Sequence, residues 1–112
     1  MHEEIPSFKK PTKESRIERA VCFYAKERGF LTFKFLPHIQ AGMPDRMFIH
    51  NKKVFFIEFK SETGKLRAVQ KMMISRLEEE GLKVYIVRSI EKGQEIIDKY
   101  FKRKSIRHVE KK

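Results

Sequence analysis

The sequence predicts an α/β fold built around a mixed central sheet. Three segments repeat apolar residues at the three and four spacing of one helical face, and four others have the pattern of strands. Residues 54–87 read as strand, helix, strand, which is a parallel crossover, whereas the strands before them are joined by a hairpin. We therefore expect helix, three strands, helix, strand and helix in one domain of 112 residues.

The first two elements follow from spacing and from one glycine. A helix is expected over about residues 14–28, because Gly29 follows it as a helix-ending glycine does. Residues 1–13, which precede it, are polar and interrupted by prolines, so they are expected to be a flexible N-terminal segment. Residues 30–36 alternate in the manner of a strand and form the first one.

The next two strands form a hairpin whose register can be computed. Residues 45–49 and 54–60 flank four polar residues, so the turn contains either two or four residues. In both cases opposed positions sum to 103, and both faces then begin apolar near the turn. This register places Asp45 opposite Glu58.

The second half of the chain supplies two more helices and one strand. The second helix is expected directly after Gly64, running to Glu80 and ending at Gly81. A short buried strand is expected over 84–87, and a third helix over about 91–101.

The charge of the chain points to a polyanionic partner. The formal net charge is +11 and the sequence pI is about 9.9. Residues 99–112 carry +6 of this charge, and we expect 102–112 to be a basic C-terminal tail. Nucleic acid is the partner that this charge favours, although a solvated, disordered tail would have the same composition.

Other residue counts narrow the class of protein. Cys22 is the only cysteine, which excludes an internal disulfide and a cysteine-rich zinc site. The histidines also lack metal-ligand spacing, so a metal would be held mainly by oxygen. No apolar stretch is long enough for a membrane span, and a cytoplasmic protein without a membrane partner is expected.

Three charged residues at one end of the hairpin suggest a reaction. Opposed Cβ atoms in an antiparallel pair lie about 4.5–5.5 Å apart, which would bring the carboxylates of Asp45 and Glu58 side by side. Such a pair repels unless a hard cation joins it, and Mg²⁺ takes one or two carboxylates with phosphate and water oxygens. Lys60 lies two residues beyond Glu58 on the same face. The set suits metal-assisted phosphodiester hydrolysis, whereas taken singly these residues could be a turn aspartate and an exposed strand pair.

These residues also resemble a known family. Residues 42–45 (Gly-Met-Pro-Asp), 58–60 (Glu-Phe-Lys) and 64–70 match the PD-(D/E)xK nuclease pattern, and more narrowly its VRR-NUC branch. The resemblance covers about residues 14–90 and implies a restriction-endonuclease-like αβββαβ core. The third helix predicted above would follow this core, within a domain of residues 14–101. It also implies DNA cleavage that depends on Mg²⁺ or Mn²⁺.

The resemblance implies a role for each matching residue. Asp45 and Glu58 would be metal ligands, the backbone carbonyl of Phe59 would be a further ligand, and Lys60 would lie beside the attacking water. No covalent intermediate is expected.

Two further residues of the site are implied on weaker signals. The family places an acid on the first helix, and Glu18 matches it at the border of the apolar face, where it could reach a metal-bound water or a second ion. A solvated glutamate is the alternative. Gln70 resembles the family glutamine that packs against the site, and a surface glutamine is the alternative there.

Three cations near the start of the second helix form a candidate DNA contact. Lys65, Arg67 and Lys71 fall in its expected first turns, where positive charge opposes the helix dipole. A DNA phosphate at the helix start would remove that conflict. A solvated basic face is the alternative.

The expected substrate is branched DNA. Nothing in the sequence resembles a base-reading element, so phosphate contacts and DNA shape should dominate recognition. Small viral relatives of this type suggest four-way junctions, and a viral protein would act in the host cytosol. A two-fold junction needs two sites, which a homodimer would supply. The alternatives are a noncatalytic nucleic-acid-binding module and a degenerate nuclease fold.

Overall fold

The computed structural model describes residues 10–36 and 38–103. All seven elements occur in the expected order: α1 (Lys13–Glu27), β1 (Leu31–Lys34), β2 (Arg46–His50), β3 (Lys53–Phe59), α2 (Ala68–Glu79), β4 (Lys83–Val87) and α3 (Ile90–Tyr100). Most of the segment predicted to be a flexible N-terminus, residues 1–9, lies outside the described residues, as does most of the predicted basic tail, residues 104–112.

The first helix has a well-defined start and end. The Thr12 hydroxyl accepts the Ser15 N–H at 3.0 Å, and the Ser15 hydroxyl accepts the Thr12 N–H at 2.9 Å, which satisfies two N–H groups at the helix start. The helix ends at Glu27, and Gly29 follows with a φ of +88°. The predicted glycine stop is therefore confirmed.

The hairpin register is the one computed from the sequence. Met47 lies opposite Phe56 and Phe48 opposite Phe55 in an antiparallel pair, so opposed positions sum to 103. The turn has two residues, Asn51 and Lys52, both with φ in the left-handed region at 51° and 64°. β3 then pairs with β4 in parallel, giving a mixed sheet of order β1-β2-β3-β4.

The first strand is shorter than predicted. β1 is an edge strand that pairs only with β2, and Lys34 lies opposite Arg46, the first residue of β2. Beyond this pair a single bond continues the ladder, from the Phe35 N–H to the Asp45 carbonyl at 3.1 Å. Phe30 and Leu36 lie just outside β1, although continuing the register would place Phe30 opposite His50.

The second helix begins later than predicted, at Ala68 rather than directly after Gly64. Arg67 is its N-cap, in an extended conformation, and its N–H is accepted by Oε1 of Gln70 at 2.8 Å. This side-chain bond satisfies a helix-end N–H and sets the boundary at Arg67. Lys65 therefore precedes the helix, and only Lys71 of the three predicted cations lies inside it.

The two faces of the sheet are covered differently. Phe48, Phe55 and Ile57 are fully buried beneath α1 and α3. Those two helices approach closely because Gly93 has no side chain to meet Val21. The opposite face is covered by α2 near β4, while the part of that face on β1 and β2 stays largely open.

Within the described part of the chain, no helix combines the length and the apolar run needed to cross a membrane.

Candidate active site

The two predicted carboxylates meet at one end of the sheet. Asp45 immediately precedes β2, and Glu58 is the second-last residue of β3. The last β2–β3 pair joins Arg46 with Ile57, so continuing the register by one position places Asp45 opposite Glu58. Oδ2 of Asp45 accepts the N–H of Phe59 at 2.8 Å, which attaches the carboxylate to the neighbouring strand. The Glu58 side chain is only 5% exposed. The geometry therefore brings together the acid pair predicted from the sequence.

The turn that delivers Asp45 depends on close packing. Gly42 has a φ of +82°, and a Cβ on it would lie 2.6 Å from the carbonyl oxygen of Val69 in α2. Only glycine allows the loop to approach the helix backbone this closely. The Pro44 side chain is fully buried. The Gly-x-Pro-Asp motif thus packs the loop against α2 and sets the direction from which Asp45 enters β2.

The electrostatics of this end disfavour two negative charges. Burial raises the pKa of Glu58 to about 7, and the negative charge of Asp45 acts in the same direction. Burial also raises the pKa of Asp45, although the Phe59 N–H works against this. Buried carboxylates are costly unless they are paired or bind a cation. The pair is therefore poised to gain stability from an added positive charge.

Lys60 supplies part of that charge. Its Nζ lies 3.4 Å from Oε2 of Glu58, and its side chain is 12% exposed. The lysine is also held by its backbone, since its N–H donates to the Val87 carbonyl on β4 at 2.9 Å. An ammonium group in this position can orient a water or offset charge on a phosphate.

Gln70 connects the second helix to the acid pair. Its Nε2 donates to Oε2 of Glu58 at 3.0 Å, while its Oε1 accepts the N–H of Arg67. The side chain is buried. The amide thus orients Glu58 and caps α2 at the same time, which places the predicted glutamine in direct contact with the site.

The donor set fits a hard divalent cation with few protein ligands. Across residues 10–36 and 38–103, no three His, Cys, Asp or Glu side chains converge in a metal-binding group. The contacts of Asp45 and Glu58 described above use one oxygen of each carboxylate, which leaves the other oxygen for a cation. Mg²⁺ typically binds through one or two carboxylates and keeps several waters, so two suffice. The Phe59 carbonyl as a third ligand stays a prediction.

Glu18 is brought near the site but is engaged elsewhere. Its Oε2 lies 2.7 Å from Nζ of Lys34 and 2.8 Å from Nε of Arg46. Although burial alone would raise the pKa of Glu18, these two cations hold it below its usual value. Two side chains therefore neutralise this carboxylate. The predicted contact of Glu18 with a metal through water stays a prediction.

Two residues that support the site were missed by sequence reasoning. Oε2 of Glu14 accepts the N–H of Ser61 at 3.2 Å, and Nη1 of Arg88 donates to the carbonyls of Ser61 at 2.8 Å and Gly64 at 2.7 Å. Both hold the loop that follows Lys60. Neither lies in a local motif, since each reaches this loop from more than 20 residues away, and no sequence signal identifies them.

The three predicted DNA-contacting cations surround the start of α2. Lys65, Arg67 and Lys71 are all exposed, and none forms an ion pair within the described residues. Lys65 directly follows Gly64, which packs beside the aliphatic part of Lys60. Lys65 therefore follows a residue that lies beside Lys60, and the contact of the three cations with DNA stays a prediction.

Comparison with known proteins agrees with this arrangement. The profile of the VRR-NUC domain matches residues 2–91. A solved structure titled "VRR_NUC domain" superposes with a TM-score of 0.71 at 25% identity, covering 80% of this chain and 99% of that one. No curated protein matches the chain. The matched range spans most of the sequence and contains Asp45, Glu58, Lys60 and Gln70. The chain therefore belongs to the VRR-NUC domain family and has the fold of that family of nucleases.

Proposed function

We propose that this protein is an endodeoxyribonuclease that hydrolyses phosphodiester bonds with the help of Mg²⁺ or Mn²⁺. The observation that carries the proposal is the sheet end where Asp45, Glu58 and Lys60 meet, with two buried carboxylates beside one ammonium group. Like charges buried together weaken the fold, so their presence favours a functional role over a structural one.

Each residue of the chain has a distinct task in this proposal. Asp45 and Glu58 supply oxygen donors to the cation. The Phe59 N–H and the Gln70 amide hold these two carboxylates in place by hydrogen bonds of 2.8 Å and 3.0 Å. Lys60 orients the attacking water and offsets the charge that develops on the phosphate. When bound, the cation would polarise the phosphate and lower the pKa of a nearby water.

Direct hydrolysis is favoured over a covalent route. Cys22 is buried in the core, and burial raises its pKa to about 11, so it is neither accessible nor ionised near neutral pH. Hydrolysis by an attacking water would use Asp45, Glu58 and Lys60 with a bound cation, and it needs no nucleophilic side chain.

The substrate proposed here is branched DNA, including four-way junctions. The cations around the α2 start, Lys65, Arg67 and Lys71, would contact phosphates, which carry no sequence information. A junction with two-fold symmetry is cut symmetrically by two sites, so the active form would be a homodimer. The open face of the sheet carries the half-exposed side chains of Leu31 and Phe33, apolar surface of the kind found at interfaces between copies.

A cleavage assay tests the proposal directly. Purified protein is incubated with labelled four-way junction, flap, single-stranded and linear duplex DNA in Mg²⁺, Mn²⁺ or EDTA. Lys60→Met is compared with Lys53→Met, which removes an exposed lysine from the opposite end of the same strand. We expect metal-dependent cleavage by the wild type and by Lys53→Met, no cleavage by Lys60→Met, and DNA binding by all three.

The other readings of the chain predict a different result. A noncatalytic binding module or a degenerate nuclease would bind DNA without cutting any of the four substrates in either metal. Loss of cleavage in Lys53→Met to the same extent as in Lys60→Met would also contradict the assigned site.

The DNA-contacting cations are tested by binding in EDTA. Lys65→Ala combined with Arg67→Ala should weaken binding and reduce the dependence on salt by roughly one to two units of slope. The double variant Lys92→Ala, Lys99→Ala removes the same charge from α3 and serves as the control. Equal losses in both variants would show a general charge effect and no specific contact.

The oligomeric state is tested by light scattering with and without junction DNA at working concentration. We expect two protein copies on each junction. A single copy that nonetheless cuts both strands symmetrically would contradict the homodimer.

A further inference from the structure

An ion cluster lies beside the acid pair and takes no part in the mechanism above. Lys34 and Arg46 face each other across β1 and β2, at the last position where these strands pair. Both cations contact the same atom, Oε2 of Glu18, at 2.7 Å and 2.8 Å. Arg46 is held further by a 3.3 Å bond from its Nη1 to the Thr32 hydroxyl.

The position of this cluster connects it to the site. Arg46 is the residue directly after Asp45, and Glu18 lies close enough to Asp45 for its negative charge to raise the pKa of that carboxyl. A DNA strand whose phosphate lies at Asp45 would therefore have a neighbouring phosphate close to Lys34 and Arg46, since successive phosphates follow each other along the backbone.

The geometry of the cluster is that of an occupied anion site. Two cationic donors converge on one anionic oxygen, as they would on a phosphate oxygen. Lys34 is 45% exposed, so DNA can reach it, whereas Glu18 is 14% exposed. The Arg46 side chain is only 20% exposed, so leaving it without an anionic partner would be costly. A phosphate oxygen would keep both cations paired when it replaces the carboxylate.

We propose that Lys34 and Arg46 form a second DNA-phosphate site and that Glu18 occupies it in the free protein as a stand-in for the phosphate. DNA binding exchanges the carboxylate for a phosphate oxygen on the same two cations. The proposal rests on the proposed function in one respect, that the ligand is DNA. It assigns Glu18 an inhibitory role in DNA binding that its position on the first helix does not reveal.

The test is DNA affinity in EDTA, measured with intact duplex and junction DNA. Glu18→Gln removes the competing charge and should tighten binding by about threefold to tenfold. Glu27→Gln removes the same charge from an exposed position on the same helix and should change affinity much less. Lys34→Ala should weaken binding and lower the salt slope by about 0.9.

A double-variant comparison separates competition from general repulsion. In the background of Lys34→Ala with Arg46→Gln, the gain from Glu18→Gln should disappear, because no cations remain for which it competes. Thermal melting of each variant checks folding. If Arg46→Gln does not fold, Lys34→Ala alone serves as the background and should reduce the gain by at least half.

Several outcomes would overturn the proposal: equal effects of Glu18→Gln and Glu27→Gln, a gain from Glu18→Gln that persists in the double background, or no measurable DNA binding in EDTA. The fate of the nuclease proposal is decided separately by cleavage. A protein that shows the Glu18→Gln effect but cuts no DNA in metal would keep the phosphate site and lose the proposed activity. Cleavage without the Glu18→Gln effect would do the reverse.

Discussion

The two ends of the central sheet bury polar groups in opposite ways. At the end where β2 begins and β3 finishes, Asp45 and Glu58 bring two acids together and burial raises the pKa of both. At the other end, β2 finishes at His50, which is also buried. Its contacts are with a backbone group and aromatic rings, which carry no charge.

At the histidine end, the buried ring contacts one backbone group and two aromatic rings. Nε2 of His50 accepts the N–H of Lys102 at 3.0 Å. Its ring stacks on Phe30 with centroids 4.1 Å apart and on Phe101 with centroids 5.7 Å apart. These contacts fasten the chain after α3 to the hairpin, so the histidine stabilises the fold.

The difference between the ends separates stability from function. A buried group with matched partners contributes to folding, whereas a buried pair of like charges costs folding energy, which the proposed cation would offset. Removing a carboxylate at the acid end should therefore lower activity, whereas removing the histidine at the other end should lower stability.

The largest effect is expected on catalysis at the acid end. Glu58→Gln removes a proposed cation ligand while keeping the shape of the side chain, so kcat should fall about 1,000-fold. The protein should remain folded and bind DNA. Cleavage rates in Mn²⁺ measure the loss, and Glu79→Gln on the exposed surface of α2 is the control. A loss below tenfold would remove Glu58 from the proposed site.

The next effect is on stability at the histidine end. His50→Ala should lower the free energy of unfolding by about 3 to 4 kcal/mol, because it removes two ring contacts and leaves the Lys102 N–H without its acceptor. Urea denaturation measures this, with His38→Ala in the exposed loop as the control. Cleavage by folded His50→Ala should stay within threefold of wild type. A stable but inactive His50→Ala protein would contradict the contrast.

The pH dependence of stability sharpens the comparison. Because the pKa of Glu58 is raised to about 7 in the folded protein, its contribution to stability is present below about pH 4.5 and is lost as the pH rises through 7. In EDTA, Glu58→Gln should therefore match wild type near pH 4.5 and exceed it at pH 8 by up to about 3 kcal/mol. Denaturation at both pH values measures the difference. A difference that does not change with pH would show that the folded protein leaves the Glu58 pKa at its usual value.

The smallest effect is expected from the loop behind the acid end. Arg88→Ala removes two short bonds to the carbonyls of Ser61 and Gly64, which follow Lys60. Less exact placement of Lys60 should lower kcat about fivefold while the KM for DNA stays near its wild-type value. Arg76→Ala is the matched control on α2. An unchanged kcat would show that the loop is held adequately without Arg88.

Most of the fold follows from local pattern in the sequence. Apolar spacing indicated every helix and strand, the glycine stops at Gly29 and Gly81 agree with the helix ends, and the hairpin register was computed exactly. The errors lie at boundaries. β1 ends at Lys34, opposite the first residue of β2, and this limit is set by pairing between distant segments. α2 begins late because Gln70 caps it at Arg67, a local bond that apolar spacing does not reveal.

The charged residues at the centre of the candidate site were predicted from the sequence, but the residues that hold the neighbouring loop were not. Asp45, Glu58 and Lys60 follow from alternation along two adjacent strands, a regularity that sequence spacing preserves. Glu14 and Arg88 come from other elements and bind backbone groups of the loop after Lys60. Backbone groups are the same in every residue, so the sequence contains no pattern that would identify these two partners.

By itself, the sequence determined the order of elements, the hairpin register and therefore the pairing of the two carboxylates, because these depend on periodicity and on turn length. Only the tertiary structure decided which cations the first helix meets, and so whether Glu18 is free or paired with Lys34 and Arg46. Helix spacing predicts which residues share a face, but the side chains opposite that face depend on how the helix lies against the sheet. The charge state and partners of a residue at the border of a face are therefore properties of packing.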